Sequence, residues 1–280
     1  MEISELHIRT WEQLHLRRIQ MPHALLVSGQ RGMGVFELVR SFVQSLLCEN
    51  LHANGSACEK CPACVWFSQG NHPDFRLLQP EALSEGGTES AEQTATKKKP
   101  SQQITIDQVR GLDDFLHIGT HRHGRRIVLI NPADAMNRAT ANSLLKSLEE
   151  PLPSTLFILV SHDPQRLLPT IRSRCQSLYV RPPERHCAEA WLAHAGIKEA
   201  AQWLALAGGA PLLALELHAG EERALLDLLV ERLSQGENLD PLSSATSVDK
   251  LLKSEKRPLP LSRAIDWAQK WIIDLVLAKQ

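Results

Sequence analysis

The chain has 280 residues, of which 43% are hydrophobic and 22% are charged, and its formal net charge is -1. This composition suits a globular protein with room for two domains or for one domain and a smaller module, and it excludes the strongly basic character of a stand-alone DNA-binding protein. Because no apolar run approaches the ~20 residues that cross a bilayer, and because the acidic segment MEISELHIRTWEQL does not resemble a signal peptide, we expect a cytoplasmic protein without a membrane partner.

The first segment with a chemical signature is a glycine-rich turn that follows the apolar run HALLVSG. A strand, a glycine-rich turn and a helix form the phosphate-binding loop of nucleotide-binding proteins. That loop needs Lys and then Ser or Thr after its last glycine, because the ammonium neutralises the outer phosphates and the hydroxyl holds Mg²⁺. Gly29, Gly32 and Gly34 are present here, but Val35 and Phe36 take those two positions. The pattern predicts a degenerate nucleotide-binding loop, which keeps the glycines of the turn but lacks the side chains that bind phosphate and Mg²⁺.

A cysteine cluster follows the helix predicted after this turn. Its members are Cys48, Cys58, Cys61 and Cys64. Zinc takes four soft ligands in a tetrahedron, and cysteine pairs separated by two residues on tight turns supply neighbouring corners. His52 or His72 could replace one ligand, but four cysteines suffice, and in a reducing compartment cysteines are thiols or metal ligands rather than disulfides. We therefore predict a structural zinc module at residues 48–64, with no open position for catalysis.

The segment of residues 81–103 is rich in Gly, Ser, Thr and Lys and has almost no large apolar side chains. It cannot bury a core, so we expect a mobile surface loop, and a solvated insertion without a role is the simplest interpretation. Order resumes at ITIDQVRGLDDFLHIG, where Asp107 is a candidate cap of a helix.

Alternation of strands and helices predicts a doubly wound parallel sheet in the first part of the chain. RRIVLINPAD and TLFILVSH are predicted to be strands buried on both faces, and NRATANSLLKSLEEP and DPQRLLPTIRSRC are predicted to be helices. In nucleotide-hydrolysing proteins of this type, two acids follow the second strand. Asn131 and Pro132 stand there instead, and we expect Asp134 in a turn or cap.

The pattern changes after the segment RPPE, because no stretch from Arg185 onward is typical of a strand. LLALELHAGEERALLDLLVERL and PLSRAIDWAQKWIIDLVLAKQ are predicted to be two bundle helices, separated by a Pro- and Ser-rich break at DPLSSATSVDK. We therefore divide the chain into an α/β domain (1–180), a small helical module (181–215) and a terminal helical region (216–280).

Several segments together resemble the clamp-loader subunits of the AAA+ family. NSLLKSLEEP resembles the family's NALLKTLEEP helix, and LLPTIRSRCQ resembles its Ser-Arg-Cys motif. HALLVSGQRGMG, the cysteine insertion, ITIDQVR and LALAGGAP occur in the family's order. The resemblance implies an AAA+ parallel-sheet domain of the nucleotide-binding type with a zinc-binding insertion, followed by a helical lid and a C-terminal helical collar.

The resemblance also implies roles for individual residues. In these assemblies the arginine of the Ser-Arg-Cys motif, here Arg174 between Ser173 and Cys175, reaches the γ-phosphate of ATP bound by a neighbouring subunit. Such an arginine finger stabilises charge on the transferred phosphoryl group and contributes about 10³ to 10⁵ in rate. Lys146 and Glu149 are either interface residues, as in the family, or an i,i+3 surface ion pair. Active relatives also carry a nucleotide-sensing arginine after GGAP, which this sequence lacks.

The leading hypothesis is a clamp-loader subunit without ATPase activity of its own, which supplies Arg174 in trans. Its implied partners are other clamp-loader subunits, of the ATPase gamma/tau type and of the delta type, and, through the complex, the sliding clamp and primed DNA. An active ATPase with a divergent site and a zinc-stabilised adaptor without a finger are the alternatives. We expect the basic runs HRHGRR and Lys97–Lys99 to be solvent-exposed surface segments, and contact with DNA is the alternative.

Overall fold

The computed structural model describes residues 2–83, 100–118, 120–121, 124–220, 222–253 and 261–278. Most of the predicted surface loop, together with Lys97–Lys99, lies outside the described residues. The described ends of that loop are a short 3-10 turn at Glu81–Leu83 and an irregular segment at residues 100–103.

Strands and helices alternate along the first part of the chain. The strands are β1 (Ala24–Ser28), β2 (Phe75–Leu78), β3 (Arg126–Ile130), β4 (Thr155–Ser161) and β5 (Gln176–Tyr179). The helices in this part are α1 (Ile3–Leu6), α2 (Ile8–Arg17), α3 (Val35–Leu47), α4 (Pro62–Ser68), α5 (Ile106–Arg110), α6 (Leu112–His117), α7 (Arg138–Glu149) and α8 (Pro169–Arg172). The helices that follow are α9 (Arg185–His194), α10 (Ala200–Leu206), α11 (Pro211–Ala219), α12 (Glu222–Leu233), α13 (Pro241–Leu252) and α14 (Leu261–Ala278).

The five strands form one parallel sheet in the order β2-β3-β4-β1-β5. Every residue of β1, β3 and β4 is buried, as expected for central strands covered on both faces. The predicted parallel α/β fold is therefore confirmed. β1 is first in sequence but lies between β4 and β5, and the carboxyl ends of strands in such a sheet are the usual position of a ligand site.

Two hydrophobic cores cover the faces of the sheet. On one face, Leu38 and Phe42 of α3 pack with Leu25 and Val27 of β1. The same core continues without a break into the later helices, where it includes Trp203 of α10. The other face is covered by side chains from α5 to α8. The apolar surface buried in the shared core joins the sheet to the helices that follow it.

No described residue after Arg185 lies in a strand, as predicted, but two predicted helix boundaries are wrong. The first predicted bundle helix is divided into α11 and α12 around Gly220. The predicted Pro- and Ser-rich break is helix α13, because Asp240 accepts a hydrogen bond from the backbone N–H of Leu242, and Pro241 occupies the first helical position. Proline is favoured there since it has no N–H to leave unpaired.

Two local predictions in the α/β part are also wrong. The cap of α5 is Thr105 rather than Asp107, because Thr105 and Gln108 form a reciprocal capping box. The segment predicted as one helix before β5 contains only a short 3-10 turn and the four residues of α8.

Among the described residues, no single helix has the length and apolarity needed to cross a membrane, although α10 and α11, which meet at a bend of 104°, would together reach that length and composition.

Candidate functional site

The glycine-rich loop lies at the carboxyl end of β1, directly before α3. Gly32 and Gly34 have φ angles of 75° and 78°. Residues with a Cβ adopt this left-handed conformation only at a cost, so glycine permits the tight turn from strand to helix. The loop therefore has the predicted order of strand, glycine-rich turn and helix.

The side chain that stands in place of the catalytic lysine faces the protein interior. Val35 is 1% exposed and belongs to the core between the sheet and α3. A Cβ added to Gly29 would lie 2.7 Å from Cγ2 of Val35, so the valine packs beneath the start of the loop. Phe36 is partly buried against the same core. Neither side chain can neutralise a phosphate or hold Mg²⁺.

Three carbonyl groups of the loop accept hydrogen bonds from distant parts of the same chain. The carbonyl of Gly29 binds Nδ1 of His162 at 3.1 Å. The carbonyl of Gly32 accepts from the backbone N–H groups of Leu212 at 2.9 Å and Leu213 at 3.3 Å. The carbonyl of Met33 binds Nε2 of His7. The end of β4, the start of α11 and the junction of α1 and α2 therefore all hold the loop.

Apolar side chains also cover the outer surface of the loop. An added Cβ would lie 2.5 Å from Cβ of Leu213 at Gly32, and 2.6 Å from Cδ1 of Ile3 at Gly34. Cδ1 of Leu212 is 3.1 Å from the same position on Gly34. The helix α11 contributes its first two free N–H groups to a carbonyl of the loop, where an anion would otherwise be a suitable partner.

His7 is buried at one of these contacts. Only 4% of the surface of His7 is accessible to solvent. Burial lowers the pKa of His7, and backbone groups of Met33 and Arg181 oppose this effect. The ring is therefore neutral in the folded protein near pH 7, and its Nε2–H donates a hydrogen bond to the carbonyl of Met33.

The segment after β3 is bonded to β4. Oδ1 of Asp134 accepts hydrogen bonds from Oγ of Ser161 at 2.9 Å and from the backbone N–H of His162 at 3.0 Å. Asp134 lies in the 3-10 turn Ala133–Ala135, as predicted, and its carboxylate in addition joins the ends of two neighbouring strands. Asn131 and Pro132 stand directly after β3, so neither of these two positions supplies an acid.

The four predicted zinc ligands are brought together by the fold. Their sulfur atoms, those of Cys48, Cys58, Cys61 and Cys64, all lie within 4.8 Å of one another. Sγ of Cys48 and Sγ of Cys61 are 4.0 Å apart, and a tetrahedral zinc site with zinc–sulfur distances of about 2.3 Å needs about 3.8 Å. The four cysteines can therefore hold a metal ion, and neither His52 nor His72 belongs to the cluster.

Backbone N–H groups point at the sulfur atoms of the cluster. Cys58 donates its N–H to Sγ of Cys48 at 3.2 Å, and Cys61 donates to Sγ of Cys58 at 3.3 Å. The N–H groups of Lys60 and Cys61 lower the pKa of Cys58 to about 6, whereas burial raises the pKa of Cys64. Glu59, at φ 58°, turns the chain between two of the cysteines. Hydrogen bonds to sulfur favour the thiolate form that binds zinc.

Arg174 lies in the turn between α8 and β5. Its Nη2 atom is 2.5 Å from Oε1 of Glu149, and its Nη1 atom donates to the carbonyl of Thr170 at 2.9 Å. The arginine side chain is 34% exposed. The sequence offered an i,i+3 ion pair between Lys146 and Glu149 as one alternative. In the structure Glu149 pairs with Arg174 instead.

The strand register places Arg174 far from the glycine loop of its own chain. β1 and β5 are parallel, with Gln176 opposite Leu25 and Tyr179 opposite Ser28. Arg174 precedes the amino end of β5, and the loop follows the carboxyl end of β1, so the two lie at opposite ends of the parallel strands. The four residues of β5 separate the two positions by roughly 13 Å, at about 3.3 Å per residue.

The remaining predicted site residues surround Arg174 or lie on α7. Oγ of Ser173 donates to the carbonyl of Thr170 at 3.1 Å. Cys175 is buried, and burial raises its pKa to about 11, so it remains a thiol. Lys146 is exposed on α7. Ser173 and Cys175 therefore fix the turn that carries Arg174.

Sequence reasoning missed three contacts of the glycine loop, those of His7, His162 and Leu213. Each joins segments more than 25 residues apart, and spacing along a helix or strand gives no signal for such a contact. Leu212 and Leu213 follow GGAP in place of the expected arginine, and they pack against Gly34 and Gly32 of the loop.

The family model described as "DNA polymerase III, delta subunit" matches residues 7–184. The DNA polymerase III subunit delta' of Pseudomonas aeruginosa is 37% identical over 95% of this chain and 75% of that protein. The Escherichia coli subunit delta' is 33% identical over 77% of this chain and 55% of that protein. The Bacillus subtilis subunit delta' is 34% identical over 65% of this chain and 49% of that protein. The chain thus spans from 49% to 75% of the length of these relatives.

Two solved structures align with this chain at low TM-scores. A DNA polymerase III gamma subunit-related protein of Thermotoga maritima aligns with a TM-score of 0.46 at 21% identity, over 91% of this chain and 77% of that one. A RuvB variant of Thermotoga maritima aligns with a TM-score of 0.43 at 10% identity, over 88% of this chain and 69% of that one.

Proposed function

The chain belongs to the family of DNA polymerase III delta-prime subunits, and we propose that it serves the bacterial clamp loader without hydrolysing ATP itself. In this proposal it supplies Arg174 to ATP bound by a neighbouring ATPase subunit. The assembly then places the sliding clamp on primed DNA during replication.

The observation that carries the proposal is the occupation of the glycine loop by its own chain. The carbonyls of Gly29, Gly32 and Met33 are bonded to side chains and N–H groups from three other segments. With Val35 in the core, the loop also lacks the ammonium group that a phosphate needs. These contacts support a structural role for the loop as the junction between the α/β part and the helical part.

The position of Arg174 supports action in trans. Arg174 precedes the amino end of β5, whereas the chain's own loop follows the carboxyl end of the parallel strand β1. This separation favours a role for Arg174 at the nucleotide site of another subunit. The side chain is one-third exposed in a turn between α8 and β5. An arginine that stabilises charge in the active site of another subunit must be accessible and held at a surface.

The remaining parts of the proposal concern organisation and partners. We assign structural zinc to the four cysteines, because their sulfur atoms can reach a common centre and the site has no open position. The lid (181–215) and the collar (216–280) would join gamma/tau-type and delta-type subunits in the cytoplasm. Contacts with the sliding clamp and primed DNA would be made through the complex.

The experiment that tests the loss of nucleotide chemistry is an ATP titration of the isolated chain, together with an ATPase assay. The proposal expects neither saturable ATP binding nor turnover. Turnover that disappears when Arg31 or Gly32 is replaced would contradict it and favour the active ATPase. Restoring the motif in the double variant Val35→Lys, Phe36→Thr is not expected to restore turnover, because the loop remains covered by Ile3 and Leu212.

A further inference from the structure

The ion pair between Arg174 and Glu149 joins the ends of two helices. Glu149 is the last residue of α7, and Arg174 follows α8 by two residues. Nη2 of Arg174 contacts Glu149, and Nη1 contacts the carbonyl of Thr170, so the guanidinium is held on two sides. The two residues are 25 positions apart, which excludes a local helical pair.

These contacts restrict the arginine without consuming all of its donors. A guanidinium has five N–H donors in a planar fork. Glu149 and Thr170 take donors from the two terminal nitrogens, so others remain for a phosphate oxygen. A free arginine would have to lose its rotamer freedom when it meets the phosphate, whereas an arginine that is already held loses less.

We propose that Glu149 is a positioning residue for Arg174, which orients the guanidinium toward the ATP of the neighbouring subunit. The inference rests on the proposed function, because it assumes that Arg174 acts on that ATP. It goes beyond that function by assigning the orientation of the finger to a carboxylate of its own chain. Glu149 acts through Arg174 and does not itself contact the nucleotide.

The exposure of the pair makes the proposal testable without unfolding the protein. The two side chains are 34% and 46% exposed, and ion pairs of this kind contribute little to stability. Glu149→Ala should therefore leave the melting temperature almost unchanged. The neighbouring Glu150, which is also exposed, provides the matched control Glu150→Ala.

The kinetic experiment measures clamp-stimulated ATP hydrolysis by the reconstituted complex. Glu149→Ala should lower kcat by up to about 30-fold, the factor that corresponds to the rotamer freedom of one arginine, with little change in KM for ATP. Glu149→Gln should recover most of this loss, because its amide oxygen still accepts the hydrogen bond, and Glu150→Ala should behave like the unaltered chain. Unchanged or faster hydrolysis with Glu149→Ala would overturn the proposal.

A double-variant cycle separates positioning from other effects of Glu149. If Glu149 acts only through Arg174, its replacement should have no further effect once Arg174 is alanine. An equal loss in both backgrounds would contradict the inference. If Arg174→Ala alone leaves hydrolysis unchanged, the proposed finger function is contradicted. The Arg174→Ala measurement therefore separates failure of the finger function from failure of the positioning role.

A spectroscopic measurement tests the positioning without relying on ATP hydrolysis. In the full isolated chain, the Nε–H signal of Arg174, assigned with Arg174→Lys, should show restricted motion. Glu149→Ala should increase this motion, and Glu150→Ala should not. Equal mobility of the guanidinium with and without the Glu149 carboxylate would overturn the inference.

Discussion

The carbonyl of Gly32 accepts a hydrogen bond from the N–H of Leu212, 2.9 Å away, at the first turn of α11. This contact joins a loop of nucleotide-binding shape to the helical part of the chain. In a working ATPase the N–H groups of such a loop bind phosphate, whereas here a carbonyl of the loop accepts a hydrogen bond from a helix of the same chain. The loop is thus suited to hold two parts of the subunit in a fixed relation.

Replacing Gly32 with alanine should weaken this junction. An added Cβ would lie 2.5 Å from Cβ of Leu213, and the backbone has φ 75°. Backbone strain and overpacking together should lower the free energy of unfolding by about 2–5 kcal/mol. Urea-induced unfolding of the Gly32→Ala variant measures this change.

Gly70 provides the matched control for that experiment. Its φ is 74°, but a Cβ added there meets no atom within 4 Å. Gly70→Ala should therefore show the backbone strain alone, about 1–2 kcal/mol. Equal losses for Gly32→Ala and Gly70→Ala would mean that the contact with α11 is absent in solution.

Zinc should be required for the order of the cysteine module. The purified protein should contain about one equivalent of zinc, and Cys61→Ser should abolish it, since three sulfur ligands remain. At a free zinc concentration about 100-fold above Kd, binding stabilises the folded state by about 2.7 kcal/mol. A chelator should therefore lower the melting temperature of the unaltered chain.

Cys187 lies outside the cluster and provides the control for the metal experiment. Cys187→Ser should retain the metal and the response to the chelator. A metal content well below one equivalent, in protein purified without chelator, would count against the site. The same conclusion would follow if the chelator left the melting temperature unchanged.

The stability of the fold should fall at acidic pH, partly because of His7. Burial lowers its pKa in the folded state, so below about pH 6.5 the unfolded chain binds a proton that the folded chain does not. The contribution of neutral His7 is therefore complete above that pH, and it decreases as the pH falls toward the folded pKa.

A His7→Gln variant should show a flatter dependence of unfolding free energy on pH. Its amide can still donate to the carbonyl of Met33 but does not titrate in this range. The measurement is urea-induced unfolding between about pH 7.5 and pH 5.5, with His52→Gln, an exposed residue, as control. Parallel profiles for the unaltered chain and His7→Gln would contradict the assigned role.

The parallel sheet was predictable from the sequence because its central strands are continuous aliphatic runs. In RIVLI and TLFILVS, apolar side chains point to both faces of the strand, so each segment is stable only when helices cover both faces of the sheet. The cysteine cluster was equally predictable, since short spacings on turns leave the four sulfur atoms near a common point.

Helix α13 was missed because its composition is typical of a loop. Ser244, Thr246 and Ser247 donate their hydroxyl groups to backbone carbonyls four residues earlier, so the helix satisfies them internally. Asp240 followed by Pro241 was an available signal for its start.

The pairing of Glu149 with Arg174 could not be predicted from spacing. Sequence reasoning offered Lys146 as a partner of Glu149 because the two are one helical turn apart. The fold brings the end of α7 next to the turn after α8, and an arginine can bind the carboxylate through a planar fork that lysine lacks.

The central claim is that this subunit contributes Arg174 to an ATP site that it does not own. The most direct measurement is clamp- and DNA-stimulated ATP hydrolysis by the reconstituted complex containing Arg174→Ala, compared with Arg172→Ala as the control. We expect intact assembly and a loss of at least about 10-fold in hydrolysis for Arg174→Ala, with little effect of Arg172→Ala. Normal hydrolysis by a fully assembled Arg174→Ala complex would contradict it and favour a zinc-stabilised adaptor without a finger.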